Sequence, residues 1–305
     1  MSDEGRYRGR VVVGFDGSEA SLTAVRWAAE TAALRGRDLV LLHALLPPVS
    51  GGGFAISMPP SLDLIEQLEL AARDEMDAVA AGFRGDFPQL AVRGVVAIGA
   101  PSSVLLEAAE TADLMVIGSR GHGGFTGLLL GSVGAQVAAH AACPVAVIRH
   151  AADPQATVIV LGLDGSPAAE SALRFAFEEA SRRGWTVHAV HAWDVPAYDL
   201  LIVPTGPVPV PLSDVADDEV RLTAEALAGF REDYPDVDVV EQLVRAPAVT
   251  ALTDAASDAA MIVVGTRGHG PAMGALLGSV SNGLLHKATV PVVVVPPEPD
   301  HPEAA

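Results

Sequence analysis

Leu114-Met115-Val116-Ile117-Gly118-Ser119-Arg120-Gly121, closed ten residues later by Gly131-Ser132, is the stretch that decides how this chain folds. The same frame returns as Met261-Ile262-Val263-Val264-Gly265-Thr266-Arg267-Gly268, closed by Gly278-Ser279. In both, an apolar run is followed by Gly, two residues, Gly, nine residues and Gly-Ser, and then by a helix-compatible stretch. A strand, a loop and a helix start in that order are the parts of an α/β unit.

A helix N-terminus presents unpaired N–H groups and the positive end of its dipole, and flanking glycines let an anion come close to the backbone. The frame therefore predicts a nucleotide phosphate chain as ligand. The plainer reading is that the glycines make tight turns and that Ser132 and Ser279 are N-caps. The loop is no Walker A motif, because Gly-Lys-Ser/Thr is absent and the only lysine, Lys287, lies elsewhere. Phosphate charge would be met by backbone N–H groups, by Arg120 or Arg267, and by Mg²⁺. That ion keeps most of its waters and takes one or two protein oxygens, for which Ser132, Ser279 and two aspartates described next are candidates.

A second pair of elements repeats. Val11-Val12-Val13-Gly14-Phe15 ends in Asp16-Gly17-Ser18, and Val158-Ile159-Val160-Leu161-Gly162-Leu163 ends in Asp164-Gly165-Ser166. The aspartates are 148 residues apart and the loop glycines 147. So constant an offset marks an internal duplication, with domains expected at 1–150 and 151–305. Asp-Gly-Ser is by itself a common turn with a helix cap. Its repetition together with the glycine frame favours a shared site, since open parallel sheets bind ligands at the carboxyl ends of strands where strand order reverses.

Composition narrows the class. The formal charge is −19, with 11 basic and 16 acidic side chains in residues 1–150 against 8 and 22 in 151–305. Such a balance argues against nucleic acid as a partner. No apolar run reaches the length that spans a bilayer, and Met1-Ser2-Asp3-Glu4-Gly5-Arg6 is too polar for a signal peptide. The expectation is a soluble cytoplasmic protein with no membrane partner. Cys143 is the only cysteine, which excludes an intrachain disulfide and suggests core packing beside the last strand.

Apolar runs alternate with amphipathic segments. In the first half they predict strands near 10–15, 38–45, 91–98, 113–118 and 144–149, and helices near 19–36, 61–84, 101–111 and 132–142. Ser18 can cap the first helix, whose Leu22, Val25, Ala29 and Ala32 recur at the spacing that faces a sheet. Pro167 sits at the favoured first position of the counterpart helix. The Pro- and Gly-rich segments Leu46–Pro60 and Asp194–Ser213 read as mobile loops or lids.

With these marks the chain resembles the universal stress protein family, in its tandem, two-domain, nucleotide-binding form, over nearly its whole length. The resemblance implies two doubly wound α/β domains, each a five-stranded parallel sheet of order 3-2-1-4-5 with helices on both faces. It implies ATP in each domain and a regulatory role in stress response or growth control. Carried over by motif, Asp16 and Asp164 lie near ribose and adenine, and the backbones of Ala44 and Ala192 contact adenine. Phosphate contacts fall on Gly118, Gly121, Gly131, Ser132 and Val133, and on Gly265, Gly268, Gly278, Ser279 and Val280.

The copies depart from each other in two places. Gly123-Gly124-Phe125 is matched by Gly270-Pro271-Ala272, and proline removes a backbone donor. Ser281 follows Gly-Ser-Val in the second copy, whereas Gly134 stands there in the first, removing a hydroxyl that can meet phosphate or ribose. Unequal ATP affinities are expected. His122 and His269 can touch phosphate or act as weak acid/base groups, while His43 and His191 read as packed strand-end side chains. No general-base constellation repeats, so a nucleotide-dependent switch acting on an unidentified protein partner ranks above a slow ATPase or a phosphoryl- or adenylyl-transfer enzyme. The apolar final strands offer an edge for a homodimer, or for pairing of the two halves.

Overall fold

The computed structural model of the chain describes residues 5–46, 62–121, 130–193, 200–203, 206–209, 212–266 and 277–298. The chain divides into two compact units, Met1–Ala151 and Ala152–Ala305.

In the first unit β1 (Val11–Gly14), β2 (Leu39–Leu45), β3 (Val92–Ile98), β4 (Leu114–Gly118) and β5 (Val145–Ile148) alternate with α1 (Glu19–Arg35), α2 (Leu62–Phe83), α3 (Pro101–Ala109) and α4 (Ser132–His140). Every strand pair is parallel, β3 on β2, β2 on β1, β1 on β4 and β4 on β5. The order is therefore 3-2-1-4-5, and the chain reverses its direction of winding between β1 and β4. Buried runs such as Val11-Val12-Val13 and Val145 to Ile148 explain the parallel arrangement, because both faces of these strands are covered.

Side-chain alternation shows which helix covers which face. A Cβ on Gly94 would meet Met76 of α2, whereas one on Gly14 would meet Leu105 of α3. On β4, Ile117 lies toward α4 and Gly118 toward the first turn of α1. Helix α1 is capped as its sequence predicts, with Ser21 N–H donating to Ser18 Oγ at 3.2 Å. Its buried stripe runs through Ala24, Val25, Ala28, Ala29 and Ala32, and Leu22 is 43% exposed. The stripe is rotated off Leu22 because small residues sit where the helix approaches the sheet most closely.

The second unit repeats the plan. Its strands are β6 (Val158–Leu163), β7 (Thr186–Trp193), β10 (Val239–Arg245), β11 (Met261–Gly265) and β12 (Val292–Val295), and its helices α5 (Pro167–Arg183), α6 (Leu212–Asp233), α7 (Ala248–Ala255) and α8 (Ser279–Lys287). The parallel pairs β10 on β7, β7 on β6, β6 on β11 and β11 on β12 give the same order. Phe177 of α5 is fully buried, with ring centroids of Phe230 and Tyr234 at 5.4 and 5.9 Å. The described part of segment 194–213 holds β8 (Leu200–Val203) and β9 (Gly206–Pro209), an antiparallel pair rather than a plain loop. Residues 47–60 of the matching segment in the first unit lie outside the described residues.

Cys143 is buried beside β5, and burial pushes its thiol up to about 12. Among the described residues no helix is long and apolar enough to cross a membrane.

Candidate functional site

Two turns and one helix start meet at the carboxyl ends of β1 and β4. After β1, Gly17 takes φ +78°, a left-handed conformation that favours glycine, and Gly165 repeats it at +73°. That turn lets Asp16 fold back: Ser18 donates its Oγ–H to Asp16 Oδ1 at 2.6 Å and its N–H to the same oxygen at 3.1 Å. The turn and the site are thus not alternatives. Oδ1 builds the turn, while Oδ2 lies against Gly121 across the crevice. Any side chain on Gly121 would collide with that carboxylate oxygen.

Gly118 has a packing role as well as its place in the motif. A Cβ there would lie 2.8 Å from the Ala20 carbonyl carbon and oxygen, and Gly265 stands in the same relation to Ala168. Both glycines let a strand end pass the first turn of the leading helix of their own unit, α1 or α5.

The loop after β4 is closed at its neck by Gly131 N–H donating to Ser119 O at 3.0 Å, and after β11 by Gly278 N–H donating to Thr266 O at 2.7 Å. Helix α4 then begins with Gly131, and not Ser132, as N-cap; α8 likewise begins with Gly278 in place of Ser279. Neither helix start has a side-chain cap. The cause is register: Ser132 and Ser279 already occupy the first helical position, too far along to reach back to their own first turn. The N–H groups of Ser132, Val133 and Gly134 precede the first intrahelical bond, Ala135 N–H to Gly131 O at 3.0 Å, and have no intrahelical acceptor.

Gly131 is informative because nothing among the described residues requires it. Its φ of −73° and ψ of 157° suit any residue. Among the described residues, the nearest atom to a Cβ there would be Ser119 O at 3.7 Å, an ordinary contact. The missing side chain leaves the start of α4 open to the crevice.

That crevice has a volume of about 310 Å³, within the ~300–1,000 Å³ of small-molecule sites. Of the residues named from sequence, Asp16, Ala44, Gly118, Arg120, Gly121, Gly131, Ser132 and Val133 line it. Leu42, Pro101, Leu105 and Ile117 add an apolar end that sequence reading left out. The signal for it was Gly99-Ala100-Pro101, a break followed by a helix start at the carboxyl end of β3. His43 is not in the lining. Its Nδ1 lies 2.9 Å from the Phe15 carbonyl oxygen, so that nitrogen is the donor, and the ring ties the end of β2 to the turn that carries Asp16.

In the second unit Asp164 Oδ1 accepts from Ser166 N–H at 3.0 Å, and Ala192 sits in register with Val244. Gly265, Gly278, Ser279 and Val280 are arranged as in the first unit, at the end of β11 and the start of α8. The Ser281 hydroxyl is turned inward, donating to Gly265 O at 2.6 Å, and is 3% exposed. Its role there is to tie α8 to β11; in the first unit Leu130 crowds the corresponding place beside Gly134. Thr266 Oγ1 is buried with no hydrogen-bond partner among the described residues. Arg267, Gly268, His269 and Pro271, like His122 and Gly124 of the first loop, lie outside the described residues. Among those described, no group of three or more His, Cys, Asp or Glu side chains has the arrangement of a metal centre.

Comparison with known proteins agrees with this architecture. The model of the universal stress protein family matches twice, at residues 8–149 and 156–296. A universal stress protein of Mycolicibacterium smegmatis is 36% identical over 294 residues, covering 94% of this chain and 97% of that protein. Universal stress protein Rv2005c of Mycobacterium tuberculosis is 36% identical over 296 residues, covering 93% and 96%. Among solved structures, a universal stress protein of Archaeoglobus fulgidus shares the fold with a TM-score of 0.70 at 19% identity, covering 95% of this chain and 99% of that one. The chain belongs to the universal stress protein family and carries that family's domain twice in tandem.

Proposed function

We propose that the chain is a nucleotide-dependent regulatory switch that binds ATP, with Mg²⁺, in the cleft of each unit. The observation that carries this reading is Gly131, a glycine that neither its backbone conformation nor packing among the described residues demands, placed where a side chain would cover the uncapped start of α4. An anion held by the N–H groups of Ser132, Val133 and Gly134 supplies the missing cap. The apolar end formed by Leu42, Ala44, Pro101 and Leu105 suits a purine face, and Asp16 Oδ2 stands where a ribose hydroxyl can donate to it. Arg120 lines the phosphate end. Mg²⁺ fits such a site because phosphates and water supply most of its ligands, leaving one carboxylate or hydroxyl for the protein. In the second unit the uncapped α8 and the Thr266 hydroxyl, which has no hydrogen-bond partner among the described residues, support the same ligand.

The switch reading rests on the lining. Among the described residues the titratable groups in the cleft are Asp16 and Arg120, and Asp16 already accepts two hydrogen bonds from Ser18. Calorimetric titration with Mg-ATP tests the proposal, using Gly131→Asp as control. Saturable binding that the substitution abolishes in one site supports it; no heat from the unaltered chain contradicts it. A turnover assay with Asp16→Ala and Asp164→Ala settles the choice of class, since hydrolysis in the unaltered protein that both changes remove would make the chain an enzyme.

A further inference from the structure

The opposite end of the first sheet carries a feature that the nucleotide cleft does not use. Although the chain is strongly acidic, Arg6, Arg8, Arg10, Arg37 and Arg93 all lie at the amino ends of β1, β2 and β3. Arg93 is in register with Val40, and Val40 with Val12. By alternation Arg10 and Asp38, one row earlier, project from the same face as Arg93. Arg10 is well anchored, with Nε to Asp38 Oδ2 at 3.2 Å and Nη1 to the carbonyls of Gly5 and Arg6 at 2.8 and 2.9 Å.

Arg93 is not. Its Nε and Nη2 are buried and have no hydrogen-bond partner among the described residues. Burial depresses its guanidinium below the ordinary value, and the nearby Arg10 and Arg6 add to the effect against the single carboxylate of Asp38. A half-buried cation whose two buried donors lack an acceptor is costly unless an anion completes the group.

The duplication supplies an internal control. By strand register the second unit has Val158, Trp185, Thr186 and Val240 where the first has Arg10, Arg37, Asp38 and Arg93. The fold therefore does not require the arginines.

We infer that the first unit holds a second anion site, for a tetrahedral oxyanion of the phosphate class, where Arg93, Arg10 and Arg6 come together at the amino ends of β1 to β3. The oxyanion accepts from the idle Arg93 donors in charge-assisted bonds, with the turn at residues 5–9 forming the cover. Independence from the nucleotide cleft follows from position, since the two sites lie at opposite ends of the same strands.

Thermal unfolding of the full chain at fixed ionic strength, with inorganic phosphate replacing chloride, tests this. The unaltered protein and Gly131→Asp are expected to gain about 3 °C at tenfold saturation. Arg93→Met should lose that gain, keep its Mg-ATP affinity, and melt no lower than the unaltered protein in chloride, because an uncompensated charge has gone. Arg93→Lys, which keeps charge without the planar donor fork, should need about tenfold more phosphate and serves if the Met variant does not fold. A phosphomonoester that gives the larger shift assigns an esterified ligand; an equal shift assigns the free ion. No saturable shift, a shift that survives Arg93→Met, or one abolished by Gly131→Asp would overturn the inference, the last by placing phosphate in the nucleotide cleft.

Discussion

A methyl group at Gly118 has nowhere to go, because the atoms it would meet 2.8 Å away are backbone atoms of α1. Gly118→Ala is expected to cost about 1–3 kcal/mol of stability, measured by denaturant unfolding. At Gly121 the obstacle is the Asp16 carboxylate, which borders the cleft. Gly121→Ala should therefore leave the melting temperature within a few degrees and lower nucleotide affinity by at least about tenfold, near 1.4 kcal/mol. Equal losses of stability in the two variants would show that Asp16 is structural only. Cys143 gives a pH test of the buried edge beside β5. Its thiol is raised from 9.0 to about 12, so above pH 9 the unfolded chain loses the proton that the folded chain keeps. Stability should fall through pH 9–12 by up to about 1.4 kcal/mol per unit from this group. The difference between unaltered protein and Cys143→Ala in pH-dependent urea melts isolates it; parallel curves would contradict the burial.

At the scale of an element, α4 makes the sharpest contrast. Gly131→Asp gives the helix the side-chain cap it lacks and a negative charge at its positive end, so the ligand-free protein should gain about 1 kcal/mol. The same carboxylate occupies the anion position, so binding in that unit should vanish. Opposite signs for stability and affinity are the expected outcome, read by unfolding and by titration on one variant. Much of this was legible in the residues. Strand runs such as Val145 to Ile148 are apolar throughout because both faces are covered, and their bounds differ from the sequence expectation by about one residue. In the first unit the Asp-Gly-Ser turn and the described part of the glycine frame came out together at one crevice because each follows a neighbouring strand. Other features depend on register or contact and left no local signal. The cap moved from Ser132 to Gly131 because a one-residue shift decides which side chain can reach the first turn. Leu22 fits the helical period yet points outward, since the close approach of α1 selects alanines. The inward hydroxyl of Ser281 and the two Arg93 donors without a partner among the described residues appear only when a second element packs against them.

For the whole molecule, duplication gives two copies of one plan that have since drifted apart. The first unit has Gly134 crowded by Leu130, and the second has Ser281 bonded to Gly265 O, so the two helix starts are held differently. The surface charge also differs, with eight basic and 22 acidic side chains in residues 151–305 against 11 and 16 before them. A more negative surround disfavours a polyanionic ligand. Titration with Mg-ATP is therefore expected to resolve two affinities, the weaker in the second unit and the gap narrowing as salt is added. A single class of sites with no salt dependence would contradict that. The most direct measurement is the nucleotide carried by the purified chain, released by denaturation and identified and quantified by chromatography. Two sites predict ATP approaching two per chain once Mg-ATP is supplied in excess. Absence of nucleotide after purification, followed by no uptake from excess Mg-ATP, would contradict the central claim.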